Sequence, residues 1–223
     1  PTDNSLAIGG LVGTVEEYAQ LYIDRCEIAS SNQIVGGYAV GGLLGAGALM
    51  SKAIISDCVN NANITSYYAP CGGIVGSADS LFIVGCTNNG NIQANYGGTE
   101  GEATTVIGAG GIVGGLGASH ILSCVNYGNI QGQEGVAGIV GSLRVSSGED
   151  SEEGYSYNDI MVYNCENLGS IQGVKFVGGL VGTQLGNIPK DSLSAVTYQG
   201  DNMLLLDKTN KLFTVFKRTQ YGD

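Results

Sequence analysis

The 223-residue chain has no tryptophan, three prolines, one histidine and only nine basic residues. Proline this scarce, with no Gly-X-Y period, excludes a collagen-like triple helix. Nine Lys and Arg against 20 Asp and Glu give a net charge of −11. That argues against nucleic acid and against an anionic membrane surface as partners, since both require a basic footprint. No segment holds a 3.6-residue apolar period long enough for an amphipathic helix. Charged residues are 13% of the chain, yet hydrophobic residues are 43%, enough to build a core and to argue against disorder. One uncharged run, from Ile28 to Ser51, is 24 residues long and could span a bilayer by length alone. Six glycines between Ile34 and Met50, and a repeat register that includes them, read against membrane insertion.

What the chain has is glycine, 38 residues of it, well above average usage. The string Gly9-Gly10-Leu11-Val12-Gly13 returns as Gly41–Gly45, Gly72–Gly76, Gly110–Gly114, Ala137–Gly141 and Gly178–Gly182, at intervals of 32, 31, 38, 27 and 41 residues. A second string alternates with it. Cys58-Val-Asn60-Asn-Ala-Asn63-Ile64 aligns with the segments starting at Cys86, Cys124 and Cys165, each of which carries Gly at the fifth position and Ile at the seventh. The copy around Cys26 is degenerate, with Ile34 eight residues on rather than six. Three residues before each of the five cysteines stands Ile23, Ile55, Ile83, Ile121 or Val162.

Repeating units of this size that cannot bury their own faces stack into solenoids. The spacing predicts an all-β fold, a right-handed parallel β-helix (β-solenoid) of five to six coils of roughly 27 or more residues, three short strands per coil. Residues 1–186 form the solenoid, with insertions at 95–105 and 146–158. The glycines are read as corner residues and as points of close backbone approach, tolerating positive φ. Residues 187–223 form a non-repeat end cap, a β-hairpin of Met203–Leu206 and Leu212–Phe216. The first motif begins after eight residues with no cap before it, so the chain reads as part of a longer protein.

In such a stack equivalent residues sit about 4.8 Å apart. Asn60, Asn88, Asn126 and Asn167 are then expected to form an amide ladder. Cys26, Cys58, Cys86, Cys124 and Cys165 share a column and read as a ladder of reduced thiols acting as small hydrophobes. Disulfides between rungs are the alternative, and a metal site would want a Cys-x-x-Cys pair that is absent. Cys71 falls in a different column, with Ile8, Val40, Ala109, Val136 and Val177, and reads as a core filler.

Catalytic signals are few. His120 shares its column with Tyr22, Ile54, Phe82 and Met161, which argues against a general base or metal ligand. There is no Gly-x-Ser-x-Gly elbow, no phosphate-binding Gly-Lys-Ser/Thr and no Asp-x-Asp. Asp24, Asp57, Asp79 and Glu166 are scattered, whereas glycan hydrolysis needs two carboxylates close together. A polysaccharide-cleaving β-helix is therefore only the third reading. No cofactor is expected. Glu149, Asp150, Glu152 and Glu153 in the second insertion are candidate calcium ligands, read first as a solvated loop. Tyr96, Tyr155 and Tyr157, at or near the insertions, are a candidate ligand surface because loop tyrosines offer contact area with a polar handle.

The Gly-Gly-[Leu/Ile]-Val-Gly string, followed by an aliphatic residue, Cys and Gly-x-Ile, resembles the GLUG repeat of bacterial cell-surface and secreted proteins. That family includes adhesin-like proteins and repeat regions of some IgA-specific metallopeptidases. The resemblance covers Ile8 to Gly182 and leaves the tail aside. It implies a secreted or cell-surface location and a structural or display role without catalytic residues. The expected function is a non-catalytic binding or display solenoid, an adhesin or scaffold, with a host protein or glycan as partner. The alternative is an accessory domain of a surface peptidase or glycan-degrading enzyme whose catalytic domain lies outside this chain.

Overall fold

The structure, a computed structural model, describes residues 6–48, 51–68, 70–95, 108–117, 119–144, 161–185, 202–207 and 212–217. The described chain is built of β-strands and turns, with no helix among them. It opens with five short strands, Ile8–Gly9, Val12–Val15, Gln20–Asp24, Glu27–Ile28 and Gln33–Gly36. The same five recur in order as Val40–Gly41, Leu44–Gly47, Lys52–Ser56, Val59–Asn60 and Asn63–Ser66, and so onward. Each strand pairs in parallel with its counterpart one coil on, and five parallel ladders run the length of the stack. The fold is a parallel β-solenoid. No helix long and apolar enough to cross a membrane occurs among the described residues.

The register follows the repeat alignment residue for residue. Ile8, Val40, Cys71, Ala109, Val136 and Val177 are consecutive rungs of one ladder. Tyr22, Ile54, Phe82, His120 and Met161 are rungs of another, beside Ile23, Ile55, Ile83, Ile121 and Val162. The insertion at 95–105 leaves the chain after Ile92–Ala94, and the one at 146–158 after Val140–Arg144. They fall after different strands of their coils, and the parallel pairing continues in the strands that follow each. Asn202–Asp207 and Leu212–Lys217 form the expected hairpin. It meets the solenoid edge-on, with Leu204 antiparallel to Val162.

Alternation along each strand sends one set of side chains inward. Ile55, Ile83, Ile121, Ile74, Ile112 and Ile139 have no solvent exposure, and Ile64, Ile92 and Ile130 have 1%. The interior is a set of aliphatic columns in which each β-branched side chain packs on its own kind above and below.

Two expectations are corrected. Each coil holds five strand segments rather than three, because the strand breaks once inside the Gly-Gly-x-x-Gly motif, as at Gly10 and Leu11, and once at the residue before each repeated cysteine. That residue is Arg25, Asp57, Gly85, Ser123 or Asn164, with φ of 50°, 49°, 66°, 52° and 53°. Second, the motif glycines do not serve positive φ. Among described glycines only Gly85 and Gly135 have it. The motif glycines are needed because successive coils touch backbone to backbone. A methyl on Gly73 would collide with the Gly111 carbonyl oxygen of the next coil, and one on Gly76 would sit 2.6 Å from both Gly45 O and Val40 N of the coil before.

Glycine therefore sits where the chain must be thin, and larger residues occupy the left-handed corners. Gly73→Ala is expected to destabilise the fold by about 1–3 kcal/mol or more through overpacking. Ser123→Gly is expected to stabilise it by about 1 kcal/mol, by removing the left-handed penalty of a residue with a Cβ. Urea denaturation of both variants checks the pair, and a shift of the same sign in each would contradict this division of roles.

Candidate functional site

The residues singled out by the repeat converge on one corner of the second to fifth coils, where the cysteine and asparagine columns run side by side. The chain arrives along the Ile23-type strand, makes the left-handed turn, buries a cysteine, and two residues later buries an asparagine. Asn60, Asn88 and Asn126 have no solvent exposure. Asn60 Nδ2 donates to the Ala62 carbonyl at 2.9 Å and to Asn88 Oδ1 at 2.8 Å. Asn88 Nδ2 donates to the Gly90 carbonyl at 2.9 Å and to Asn126 Oδ1 at 2.7 Å. Asn126 Nδ2 donates to the Gly128 carbonyl at 2.8 Å and to Asn167 Oδ1 at 2.7 Å. Both donor hydrogens of each of these amides are spent, one within the coil and one on the next.

The ladder begins at Asn60 for a structural reason. Ile28 occupies the same rung position in the first coil, and Asn60 Oδ1 is satisfied by the Ala62 amide at 3.1 Å. The amide faces lie against the second glycine of each motif. A Cβ on Gly42, Gly73, Gly111 or Gly138 would strike the carboxamide of Asn60, Asn88, Asn126 or Asn167 respectively. Gly90, Gly128 and Gly169 are required next to it, since a Cβ there would meet the carbonyl oxygen of Ala62, Gly90 or Gly128. Ala62 stands at this position where the coil before it takes the longer turn between Cys26 and Ile34.

The thiols form the neighbouring column, and all six cysteines are unpaired. Sγ–H of Cys58, Cys86, Cys124 and Cys165 donates to the carbonyl two residues earlier, at 3.0, 3.5, 3.3 and 3.4 Å. The thiols thus close the left-handed corner from inside. Burial pushes the Cys58 thiol up to about 11 and that of Cys71 up to about 12. Hydrogen-bonding neighbours Cys165 and Cys86, together with burial, hold Cys124 well above the ordinary thiol value. Hydrogen bonds from Cys124 shift Cys86 and Cys165 the other way, below the ordinary value. What marks the column as packing is geometry: Cys58, Cys86, Cys124 and Cys165 are buried and each bonds a backbone carbonyl of its own turn.

The other candidates do not join the buried columns: Asp57 and Glu166 stand at this corner with their side chains exposed or half-buried. His120 is half-buried on the outer face, its ring 6.2 Å from that of Phe82. Asp24 accepts hydrogen bonds from Ser56 Oγ at 2.7 Å and Arg25 Nε at 2.7 Å. The Ser56 hydroxyl, helped by Arg25, holds its carboxyl below the usual value. No group of three or more His, Cys, Asp or Glu is placed to hold a metal ion among the described residues. Glu149, Asp150, Glu152, Glu153, Tyr96, Tyr155 and Tyr157 lie outside the described residues. No protein-family model, curated protein or solved structure matches this chain.

Sequence reasoning missed a second amide column on the outside of the same corner. Asn63 Oδ1 accepts from the Asn91 amide at 2.9 Å, Asn91 Oδ1 from the Asn129 amide at 3.0 Å, and Asn129 Oδ1 from the Ser170 amide at 3.1 Å. The signal was present in the position before each Gly-x-Ile isoleucine, which is always Asn or Ser. Also missed was an aromatic rung, Tyr38 stacked on Tyr68 with centroids 5.0 Å apart and planes at 19°.

Removing the middle of the buried ladder strands groups on three sides. Asn88→Ala is expected to cost roughly 2–5 kcal/mol, because Asn60 Nδ2, Asn126 Oδ1 and the Gly90 carbonyl all lose a partner. Asn88→Asp should cost more, since it aims a carboxylate at two acceptors. Equal denaturation midpoints for wild type and Asn88→Ala would contradict the ladder's role.

The thiols set an alkaline limit. Below about pH 9 Cys71 is protonated whether folded or unfolded, and its contribution is fully present. Between about pH 9 and 12 the unfolded chain loses this proton while the native state keeps it. Stability then falls by about 1.4 kcal/mol per pH unit for one such thiol. Cys71→Val, which copies the residue at rungs 40 and 136, should flatten the decline by that share. Stability curves at pH 7 to 10.5 for the two proteins measure it.

Proposed function

We propose that this chain is a non-catalytic β-solenoid domain of a secreted or surface-anchored bacterial protein, serving as an adhesin-type binding module or display scaffold. The observation that carries this reading is the fate of the repeated polar side chains. The buried asparagines and thiols hydrogen-bond within the coil or to the adjacent coil, and the outer asparagines bond the next coil's backbone. What the repeat preserves is therefore the stack itself, a rigid rod on which outer faces and insertions are carried at fixed height. The resemblance to GLUG repeats supplies the surface location and the bacterial setting. A host protein or glycan is the proposed partner class.

The test presents the domain on beads to arrays of glycans and of extracellular host proteins, then assays every ligand it retains for cleavage. Retention without turnover is expected. Turnover of a retained glycan or peptide, abolished by substituting one carboxylate of the described coils, would overturn the non-catalytic reading.

A further inference from the structure

The outward residues of the corner between the fourth and fifth strands form a lattice of neutral side chains, bordered by the carboxylates of Glu27, which accepts from Asn61 Nδ2 at 2.8 Å, and Glu166 on the fourth strand. Three positions per coil point outward there, 61, 63 and 65 and their equivalents through Gln172, and all are amide, hydroxyl, tyrosine or leucine. This occurs on a chain with a net charge of −11. Rungs are about 4.8 Å apart along the axis, and outward neighbours on one strand about 6.6 Å apart. Two columns define the lattice. Asn63, Asn91 and Asn129 are exposed and hold their Oδ1 on the next coil's amide. Their carboxamide planes are thereby pinned, and no protein group takes their Nδ2 hydrogens among the described hydrogen bonds. Beside them Gln93, Gln131 and Gln172 are exposed and in register. Tyr127, 54% exposed, stands on the third of these rungs.

Pinned donors at a fixed repeat suit a ligand that repeats at a similar interval, because orientation is already set before binding. The absence of Lys, Arg and His from these positions, with carboxylates at their border, selects further. An anionic polymer finds no cation on this face and meets the repulsion of the whole chain. A neutral chain of hydroxyl-bearing rings both donates to amide oxygens and accepts from amide nitrogens, and an exposed tyrosine offers its ring to the apolar face of a sugar. A sugar ring in an extended chain is comparable in length to one rung. We propose that this face binds a neutral, unbranched polysaccharide laid along the solenoid axis, about one ring per rung. The proposal deepens the reading of the chain as a binding domain and rests on it. It places the ligand on the rod itself rather than on the tyrosines near the insertions.

The experiment is affinity electrophoresis of the intact chain in native gels cast with hydroxyethyl cellulose, a soluble β-1,3-glucan or a mannan, with polygalacturonate as the anionic control. Retardation is expected in at least one neutral gel and absent in the control. Competing oligosaccharides of the same linkage should gain affinity with length up to about four rings, the rungs available. The triple variant Gln93→Ala, Gln131→Ala, Gln172→Ala should bind at least 10-fold more weakly with an unchanged melting temperature. Tyr127→Ala provides a second, independent loss. Deletion of residues 146–158 should leave retardation intact. No retardation in any neutral gel, retardation only by polygalacturonate, or undiminished binding by the triple variant would each overturn the proposal. Undiminished binding by that variant, with ligands still retained on arrays, would sink the lattice and leave the broader binding role standing. Failure of the chain to retain anything on the arrays would remove that role as well.

Discussion

Asn88 lies with the face of its amide against Gly73, and a methyl does not fit between them. This contact, repeated from coil to coil, is what the rest of the molecule depends on. The carboxamide spends both hydrogens inside a water-free corner, which is tolerable only because every group has a partner. Its partner wall must be glycine, since the coils approach so closely that the second motif glycine also faces the carbonyl of the next coil. From the second coil to the fifth the amide column and the glycine column thus fit each other.

The rest of the corner is arranged around that fit. To turn into it, the chain takes a left-handed residue before each cysteine, and only Gly85 of the five is glycine. The Cβ groups of Arg25, Asp57, Ser123 and Asn164 carry a conformational cost of about 1–2 kcal/mol each, smaller for Asp and Asn, whose short polar side chains tolerate the region better. The buried thiol then bonds back across the turn. Small, apolar and weakly donating, a cysteine meets all three needs of that position, and the raised pKa of Cys58 is the consequence of burial.

On the outside the same periodicity imposes order without burial. The Asn63 column caps backbone amides coil after coil, so outward side chains inherit the regularity of the ladder beneath them. A surface of this kind presents the same group at the same height over several rungs, which few globular folds can do.

The columns were legible in the residue string because a solenoid converts sequence period directly into spatial neighbourhood. Five cysteines at one offset, four asparagines two residues later and an aliphatic three residues before each cysteine determined the rung pairing that the strands display. The hairpin of Met203–Leu206 and Leu212–Phe216 was legible for a similar reason, two apolar β-forming runs around a polar turn. Only the tertiary structure decided why the glycines are there. A sequence shows that glycine recurs, but conformational freedom and lack of bulk are written with the same letter. Placing Gly73 against the amide of one residue and the backbone of another, with φ outside the left-handed range, selects lack of bulk. The same holds for the outer asparagines, whose partners are backbone amides of a neighbouring coil and carry no residue identity that a sequence could reveal.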